Sequence, residues 1–525
     1  ATRVDASQLI EKGRENLLLQ SNGFNTSWIL TGSGSSLGSD VAGPIAGVTG
    51  KALTMVTGAL LYQTITSIPL GVMSVYMRVS SGTIDLKLGD PTGSPYETKT
   101  LTTTWQRFSV LDTAALGGLA IYNSLSGTTI NIEIAAAQVE QGLVATPYIE
   151  TGATTAQAGI LENTPRFDYS GGATCPSLLL EPSRTNKCPN SELYGNSFIN
   201  TSVTRNTESA PTGYIEADRL LDNNSLGEHL LGYSFSSFAS GETHSISCFF
   251  KADATGGRAV IRYYGGSWVY AVYNLDSGEV EVENGGVTAD IVPYANGWYR
   301  CILTHTTTLN YAPMFTQIGI ANGNNDFYYQ GASNLGVYFY GYQAELGSYP
   351  TSYIPTYGVS QTRAQDICIN LSLTTSTDFT IFFEAKDFCL INGSTGGSYD
   401  NVQFVFSGDG SPYSGNGSFH IYNNTLYYYS GSTAQGFGVI YNNQTDSKFV
   451  IMKRGDKVLA FANGSKITEA TLPSGADAKV INWDAINLTQ SLQDTQGDVF
   501  GSKYQQLLKF DTALTDSECI ALTTI

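Results

Sequence analysis

Apolar and polar residues alternate over short stretches along most of the chain. Residues 83–88, with the sequence TIDLKL, and residues 259–264, with the sequence AVIRYY, are two examples. Gly, Asn, Asp and Pro separate such stretches, and apolar residues almost nowhere recur with the period of a helix. The pattern predicts an all-β protein built from many short strands.

The chain contains an internal repeat. Residues 138–151 (QVEQGLVATPYIET) and residues 343–356 (QAELGSYPTSYIPT) are identical at seven of 14 positions without a gap. Similar matches occur upstream in the same order, and the separation between matched residues grows along the chain, as expected when the second copy of one fold has longer loops. The earlier pairs are Asn16 with Asn186, Ser21 with Ser191, Ser74 with Ser247, and Trp105-x-Arg107 with Trp298-x-Arg300.

Each copy has the length and strand spacing of a jelly-roll β-sandwich. We therefore predict module 1 at residues 16–150 and module 2 at residues 186–360. The Trp-x-Arg pair of each copy is expected to place its indole in the core and to have a structural role.

A connector, residues 151–185, joins the two modules. Its second half, together with Asn186, has the sequence ENTPRFDYSGGATCPSLLLEPSRTN, in which prolines restrict the backbone and a Gly-Gly pair predicts a turn. Leu178, Leu179 and Leu180 are predicted to form a short strand that packs on a module or on a neighbouring chain. The alternative is an ordered linker that contacts only its own chain.

The last third, residues 361–525, has a different pattern. Asn463-Gly464 lies between two apolar runs and predicts a hairpin. Thr515 and Glu518 have the spacing of a capping box and predict a short terminal helix. A strand ending at Phe510 and followed by the sequence ALTDSE, residues 513–518, resembles the end of laminin-G-like or concanavalin-like lectin sandwiches.

The first 15 residues are predicted to be an anchor. Asp5 with Gln8 fits the cap of a short helix ending near Gly13. Because such a helix is too short to be stable alone, it is expected to dock on a partner protein or on sister chains, with Leu9 and Ile10 as contact residues.

Composition limits the function. Only 14% of residues are charged and the net charge is −18, which argues against nucleic acid or an anionic membrane as a partner. No apolar run is long enough to insert into a membrane. The seven cysteines lack CxxC spacing. Cys248 and Cys301 are candidates for a pair, but buried free thiols in a reducing cytoplasm are favoured.

Catalytic and metal-binding motifs are weak. His229, His244, His305 and His420 show no metal-ligand spacing, and each is interpreted as a surface or strand residue. Glu279, Glu281 and Glu283 alternate along one strand, as glycosidase carboxylates do, but solvated residues of a sheet explain them equally well. We predict no enzymatic activity and no cofactor. Asp409, followed by Gly410, is a weak candidate for a structural Ca²⁺.

Aromatic residues beside turns are the best binding candidates, because sugars stack their C–H faces on flat rings. Packing in the core or on a sheet face is the competing explanation for each of them. The candidates are Tyr264, Trp268, Tyr413, Tyr427 and Tyr429.

The opening Asn16-Leu17-Leu18, the Trp-x-Arg strand and the closing Gln-x-Glu-x-Gly motif resemble the carbohydrate-binding-like jelly-roll modules of bacteriophage tail and head-fibre proteins. The connector resembles one that precedes such modules in phage structural proteins. The resemblance implies a virion protein, assembled in the bacterial cytoplasm, that attaches to host surface glycans. It also implies a homo-oligomer, most simply a trimer, that contacts capsid or tail components. A polysaccharide depolymerase and a bacterial surface lectin are the alternatives.

Overall fold

The structure is a computed structural model of the 525-residue chain. The described residues are 2–93, 95–161, 163–235, 238–254, 257–264, 266–308, 314–366, 378–389, 402–407, 418–422, 425–430, 433–439, 445–471, 485–487 and 501–524.

The chain forms two compact units. The first comprises Ala1–Thr2, Leu9–Thr164 and Asn186–Gln361, so both modules belong to it. The second comprises Arg3–Gln8, Pro165–Thr185 and Thr362–Ile525. Most of the connector therefore belongs to the same unit as the C-terminal third of the chain.

Module 1 follows three short strands and is a sandwich of two five-stranded sheets. The strands are β1 (Thr2–Val4), β2 (Ile10–Lys12), β3 (Arg14–Asn16), β4 (Ile29–Leu30), β5 (Ser36–Ala42), β6 (Thr49–Met55), β7 (Leu60–Ile68), β8 (Gly71–Val79), β9 (Ile84–Gly89), β10 (Tyr96–Leu101), β11 (Gln106–Asp112), β12 (Leu116–Tyr122) and β13 (Ile130–Gln141). The sheet orders are β10-β9-β12-β7-β4 and β11-β8-β13-β6-β5. Alternate side chains of both sheets, such as Leu86, Leu88 and Ile132, fill one apolar core.

The connector and module 2 continue the all-β pattern. The connector contributes β14 (Ala156–Ala158), β15 (Phe167–Asp168), a 3₁₀ turn (Ser170–Gly172), β16 (Ser177–Leu180) and β17 (Arg184–Asn186). Module 2 contains β18 (Ser197–Ile199), β19 (Thr201–Ser209), β20 (Ile215–Asp222), β21 (Leu226–Glu228), β22 (Leu230–Phe235), β23 (Thr243–Ala252), β24 (Arg258–Tyr264), β25 (Trp268–Asn274), β26 (Glu279–Asn284), β27 (Thr288–Pro293), a 3₁₀ turn (Ala295–Gly297), β28 (Trp298–Thr306), β29 (Met314–Ile320), β30 (Tyr328–Gln330) and β31 (Gly336–Leu346).

The two modules have the same strand order. In module 2 the sheets are β18-β22-β29-β24-β25-β26 and β19-β20-β31-β23-β28-β27. These orders reproduce β4-β7-β12-β9-β10 and β5-β6-β13-β8-β11 of module 1, with β26 and β27 added at the edges. The repeat predicted from sequence is confirmed at the level of topology.

The matched polar residues of the repeat are buried and hold the ends of each module together. Asn16 and Asn186 each donate from the side-chain amide to two backbone carbonyls. Gln138 and Gln343 each donate to a neighbouring glutamate, at 2.7 and 3.0 Å. The partners are the carbonyls of Ala137 and Ile149 for Asn16, those of Tyr342 and Ile354 for Asn186, Glu140 for Gln138, and Glu345 for Gln343.

The Trp-x-Arg prediction is half right. Arg107 and Arg300 are structural, as predicted, and each donates to a serine hydroxyl and to a threonine carbonyl: Ser74 and Thr146 in module 1, and Ser247 and Thr351 in module 2. Trp298 is fully buried, and its indole N–H donates to Ser209. Trp105 is only half-buried, with the Arg78 guanidinium 4.8 Å from its ring centroid, so its predicted core position is wrong.

The described residues of the second unit include two large sheets and the terminal helix. Its strands beyond the connector are β32 (Gln361–Arg363), β33 (Phe379–Cys389), β34 (Val402–Ser407), β35 (Ser418–Tyr422), β36 (Thr425–Ser430), β37 (Thr433–Val439), β38 (Thr445–Arg454), β39 (Lys457–Ala462), β40 (Ser465–Thr471), β41 (Ala485–Asn487) and β42 (Gly501–Phe510). The sheet orders are β15-β16-β42-β33-β38-β39-β40 and β37-β36-β35-β34-β41.

Two local predictions for the C-terminal third are confirmed. The hairpin between β39 and β40 turns at Asn463 and Gly464, both in the left-handed region, with φ of 47° and 76°. Helix α1 (Asp516–Thr523) begins at Thr515, whose hydroxyl accepts from the Glu518 N–H while the Glu518 carboxylate accepts from the Thr515 N–H.

The predicted N-terminal helix is wrong. Residues 2–4, 10–12 and 14–16 are strands, and the segment between the first two is a turn. The Asp5 carboxylate accepts the N–H of Ser7, and Gln8 has a φ of 64°. The Asp5 side chain thus caps a turn, a structure that Asp favours as strongly as a helix start.

Two of the histidines interpreted as surface or strand residues are buried, and one of them, His244, lies in strand β23. His229 and His244 are fully buried, and His244 stacks on Phe238 with ring centroids 4.2 Å apart. Cys248 and Cys301 lie opposite each other on neighbouring strands as buried free thiols, which agrees with the favoured interpretation. Within the described residues, no helix has the length and apolar character needed to span a membrane.

Candidate functional site

Three aromatic residues form a row across one face of module 2. Trp268, Tyr264 and Phe315 lie in register on the neighbouring strands β25, β24 and β29. Along β24, Ile261 and Tyr263 point into the core. Tyr264 alternates with them, so the row occupies the opposite, outer face of the sheet. Trp268 is 38% exposed and Phe315 is 44% exposed. We call these three residues the aromatic row.

The Arg262 guanidinium packs against the Trp268 ring. The guanidinium carbon lies 3.8 Å from the centroid of the Trp268 ring and 5.4 Å from that of Phe327. An ion pair of 2.7 Å with Glu228 neutralises and orients the guanidinium. Tyr264 meets the Trp268 ring edge-on, with centroids 5.1 Å apart. The indole therefore has a fixed orientation although one of its faces is exposed.

Polar groups lie directly beside the aromatic row. Arg262 pairs in register with Gln317 on β29. Each lies two residues along its strand from Tyr264 or Phe315, and therefore on the same face of the sheet. The Arg262 Nε–H and the Gln317 Oε1 are buried without a hydrogen-bond partner. The exposed rings thus lie beside an arginine and a glutamine whose polar atoms are buried.

The corresponding place in module 1 is closed. The row there consists of Tyr96, Gly89 and Ala120, in register on β10, β9 and β12. A Cβ on Gly89 would lie 2.6 Å from the Tyr96 ring and 2.3 Å from the Pro95 carbonyl oxygen. The Tyr96 ring and the Pro95 carbonyl therefore cover the end of β9, which is the strand of module 1 that corresponds to β24.

The acidic residues near this face take part in hydrogen bonds of the sheet edge. Glu281 accepts hydrogen bonds from Arg258 and Asn274, and Glu283 accepts the N–H of Ala289. Partial burial acts to raise the pKa of Glu281, but the hydrogen bonds from Arg258 and Asn274 outweigh it and lower the pKa. The carboxylates are engaged in the sheet edge.

The other sequence candidates have side chains outside the described part of the chain. Tyr427 and Tyr429 lie in β36, and their side chains, like Tyr413 and Asp409, lie outside the described residues. No group of three or more His, Cys, Asp or Glu side chains is placed to hold a metal within the described ranges.

The predicted contact residues pack within their own chain. Leu179 and Leu180 are 6% and 4% exposed in β16, which pairs with β42 of the second unit. Ile10 is buried in one cluster with Phe249 and Trp298 of module 2, and its N–H donates to the Pro211 carbonyl. The less buried Leu9 and Leu178 flank them in sequence. A role for these residues between chains stays a prediction.

Tyr264 and Trp268 of this face are candidates from the sequence, whereas Phe315, Arg262 and Gln317 were not predicted. Phe315 is distant in sequence and reaches the row only through strand register. Alternation along residues 259–264 does place Arg262 and Tyr264 on the same face, a signal that was available.

The chain was compared with known proteins. No protein-family model matches it, and neither does any curated protein. Among solved structures, it is similar to the tandem CBM22-1–CBM22-2 domain of Xyn10C from Paenibacillus barcinonensis, with 13% identity, a TM-score of 0.21, and coverage of 64% of this chain and 98% of that one. The 11S allergen of Cocos nucifera gives 10% identity, a TM-score of 0.13 and coverage of 61% and 83%. TM-scores this low carry no argument, so the site is interpreted from its own geometry.

Proposed function

We propose that this chain is a non-enzymatic carbohydrate-binding protein and that the aromatic row of module 2 is its binding face. The observation that carries the proposal is the exposed, rigidly supported row of Trp268, Tyr264 and Phe315. Neighbouring strands lie about 4.8 Å apart, so the row extends about 10 Å across three strands. That length suits two linked sugar rings.

The chemistry of the face favours a neutral glycan. The positive charge of Arg262 is matched by the negative charge of Glu228, and the three residues of the aromatic row are uncharged. Sugar C–H groups would stack on the exposed part of the Trp268 ring.

A glycan array probed with the labelled full chain tests this function. We expect binding to neutral glycans, and replacement of Trp268 by Ala should weaken that binding about 30-fold or more, as loss of an aromatic anchor does. Tyr96→Ala in module 1 is the matched control and should leave binding unchanged. Undiminished binding by the Trp268 variant would exclude the aromatic row, and an array without any binding would contradict carbohydrate binding.

We further propose that the protein is a bacteriophage virion fibre or adhesin, present as a trimer that contacts capsid or tail components. The connector and the closing motif of each module support this proposal through their resemblance to phage structural proteins. A single glycan site is weak, and display of three would raise the avidity by orders of magnitude. Light scattering would reveal the oligomer, and mass spectrometry of purified particles would reveal the virion location. A monomer at micromolar concentration would overturn the trimer.

A further inference from the structure

A lysine from the segment before module 1 is buried among acids of module 2. The Nζ atom of Lys12 lies 2.8 Å from Oε1 of Glu192, 3.4 Å from Oε1 of Glu216 and 3.0 Å from the hydroxyl of Tyr340. The three charged side chains are 10%, 0% and 2% exposed. Lys12 thus meets two carboxyl groups in a site from which bulk water is excluded.

The two oxygens of Glu192 have very different surroundings. Oε1 accepts hydrogen bonds from the hydroxyls of Tyr340, Tyr357 and Tyr353, at 2.7, 3.1 and 3.3 Å, in addition to the Lys12 ammonium. Oε2 is buried and has no hydrogen-bond partner. Donors gathered on one oxygen stabilise negative charge that develops there during attack on the carbon, as an oxyanion hole does. The other oxygen is the one placed to leave.

Glu216 is suited to move protons beside this pair. Burial and the nearby Glu192 raise its pKa although Lys12 acts to lower it, and the Thr212 hydroxyl donates to its Oε1. Burial acts to lower the pKa of Lys12, but Glu192 and Glu216 outweigh it and raise the pKa, so the amine must give up a proton before it can attack. Glu216 therefore holds a proton more readily than an ordinary glutamate and is in contact with the amine that must lose one.

We propose that Lys12 and Glu192 condense to an intramolecular isopeptide bond. A C–N bond forms between Nζ of Lys12 and Cδ of Glu192, and the Cδ–Oε2 bond breaks. Of the three protons on the ammonium group, one stays on the amide nitrogen and two leave with Oε2 as water. Glu216, which is in contact with the amine, takes these protons from nitrogen, and they bind to Oε2 as it leaves. The balance is one ammonium and one carboxylate giving one amide and one water, without an oxidant or a co-reactant.

The sequence repeat restricts this chemistry to one place. In module 1 the residue after Ser21 is Asn22, whereas in module 2 the residue after Ser191 is Glu192. The segment before module 2 carries Pro182 at the spacing from Asn186 that Lys12 has from Asn16. The bond would enclose module 1 in a covalent loop and fasten the start of the chain to module 2. Such a link would let the first unit resist a pulling force that breaks hydrogen bonds.

The intact mass of the denatured full chain tests the proposal. We expect a mass lower than that of the sequence by one water, and a proteolytic peptide pair in which fragmentation locates the link between Lys12 and Glu192. Lys12→Met and Glu192→Ala should restore the full mass. Lys51→Met is the matched control, because Lys51 pairs with Asp40 at an exposed site in module 1, and it should keep the loss of water.

The role of Glu216 has its own readout. Glu216→Gln removes the proton relay, so freshly synthesised protein should lose water more slowly than the wild type in a mass time course. A wild-type mass equal to that of the sequence, with Lys12 and Glu192 in separate peptides, would overturn the bond and leave a buried ion pair. A water loss that maps to any other residue would overturn it as well.

Discussion

Modules 1 and 2 have the same strand order and the same buried polar network but different outer surfaces. Glu140 and Glu345 accept from a glutamine and from a threonine N–H at matching places in the two modules. By contrast, Gly89 of module 1 lies where Tyr264 of module 2 presents its ring. The repeated motif thus maintains the fold, while the proposed binding face depends on residues that the motif does not include.

The largest difference in stability should come from the two tryptophans. Trp298→Ala removes a fully buried indole and its hydrogen bond to Ser209, and should lower the free energy of unfolding of module 2 by about 3–5 kcal/mol. Trp105→Ala should cost about 1 kcal/mol, since it removes a half-buried ring and one cation–π contact with Arg78. Denaturant unfolding of both variants gives the two values. Equal losses would contradict the assigned difference in burial.

The shared network should respond equally in both modules. Glu140→Ala and Glu345→Ala each leave a buried glutamine amide and the N–H and hydroxyl of one threonine without their acceptor. Each variant should lose about 2–4 kcal/mol, the effect of two or more unsatisfied buried donors. Hydrogen exchange at the segments after β13 and β31 measures the local loss. A large loss in only one module would show that the network is not equivalent.

Acid should destabilise module 2 before module 1. Burial, with a smaller contribution from His305, lowers the pKa of His244 to about 3, and residues 16–150 contain no histidine. Between pH 6.5 and 3 the unfolded chain binds a proton at this position and the folded chain does not. Stability is therefore fully present above pH 6.5 and falls as the pH decreases, by at most about 1.4 kcal/mol per pH unit.

The matched variant for this prediction is His244→Gln. Melting temperatures between pH 7 and pH 4.5 should fall less steeply for its module 2 transition than for that of the wild type. The transition of module 1 should have the same pH dependence in both proteins. Identical slopes for module 2 would exclude His244 as the source.

Local sequence signals predicted local structure well. Alternation predicted the strands, Asn463-Gly464 predicted a hairpin, and Thr515 with Glu518 predicted the capped helix. These features depend on residues that are neighbours in sequence, so tertiary packing had little to override.

Features that depend on distant residues were not predictable in this way. Trp298 is buried in the same cluster as Ile10, which belongs to the segment before module 1. No sequence signal near Trp298 indicates that contact. The aromatic row and the site around Lys12 likewise join residues from separate parts of the chain. Asp5 misled the prediction because an Asp side chain caps turns and helices alike.

Hydrogen exchange of the full chain, with and without bound oligosaccharide, tests whether module 2 alone binds the glycan on a framework that both modules share. The ligand is the glycan selected on the array. We predict slower exchange in β24, β25 and β29 on binding, and no change in the corresponding strands β9, β10 and β12. Protection in the strands of module 1, or only in the C-terminal unit, would contradict the account.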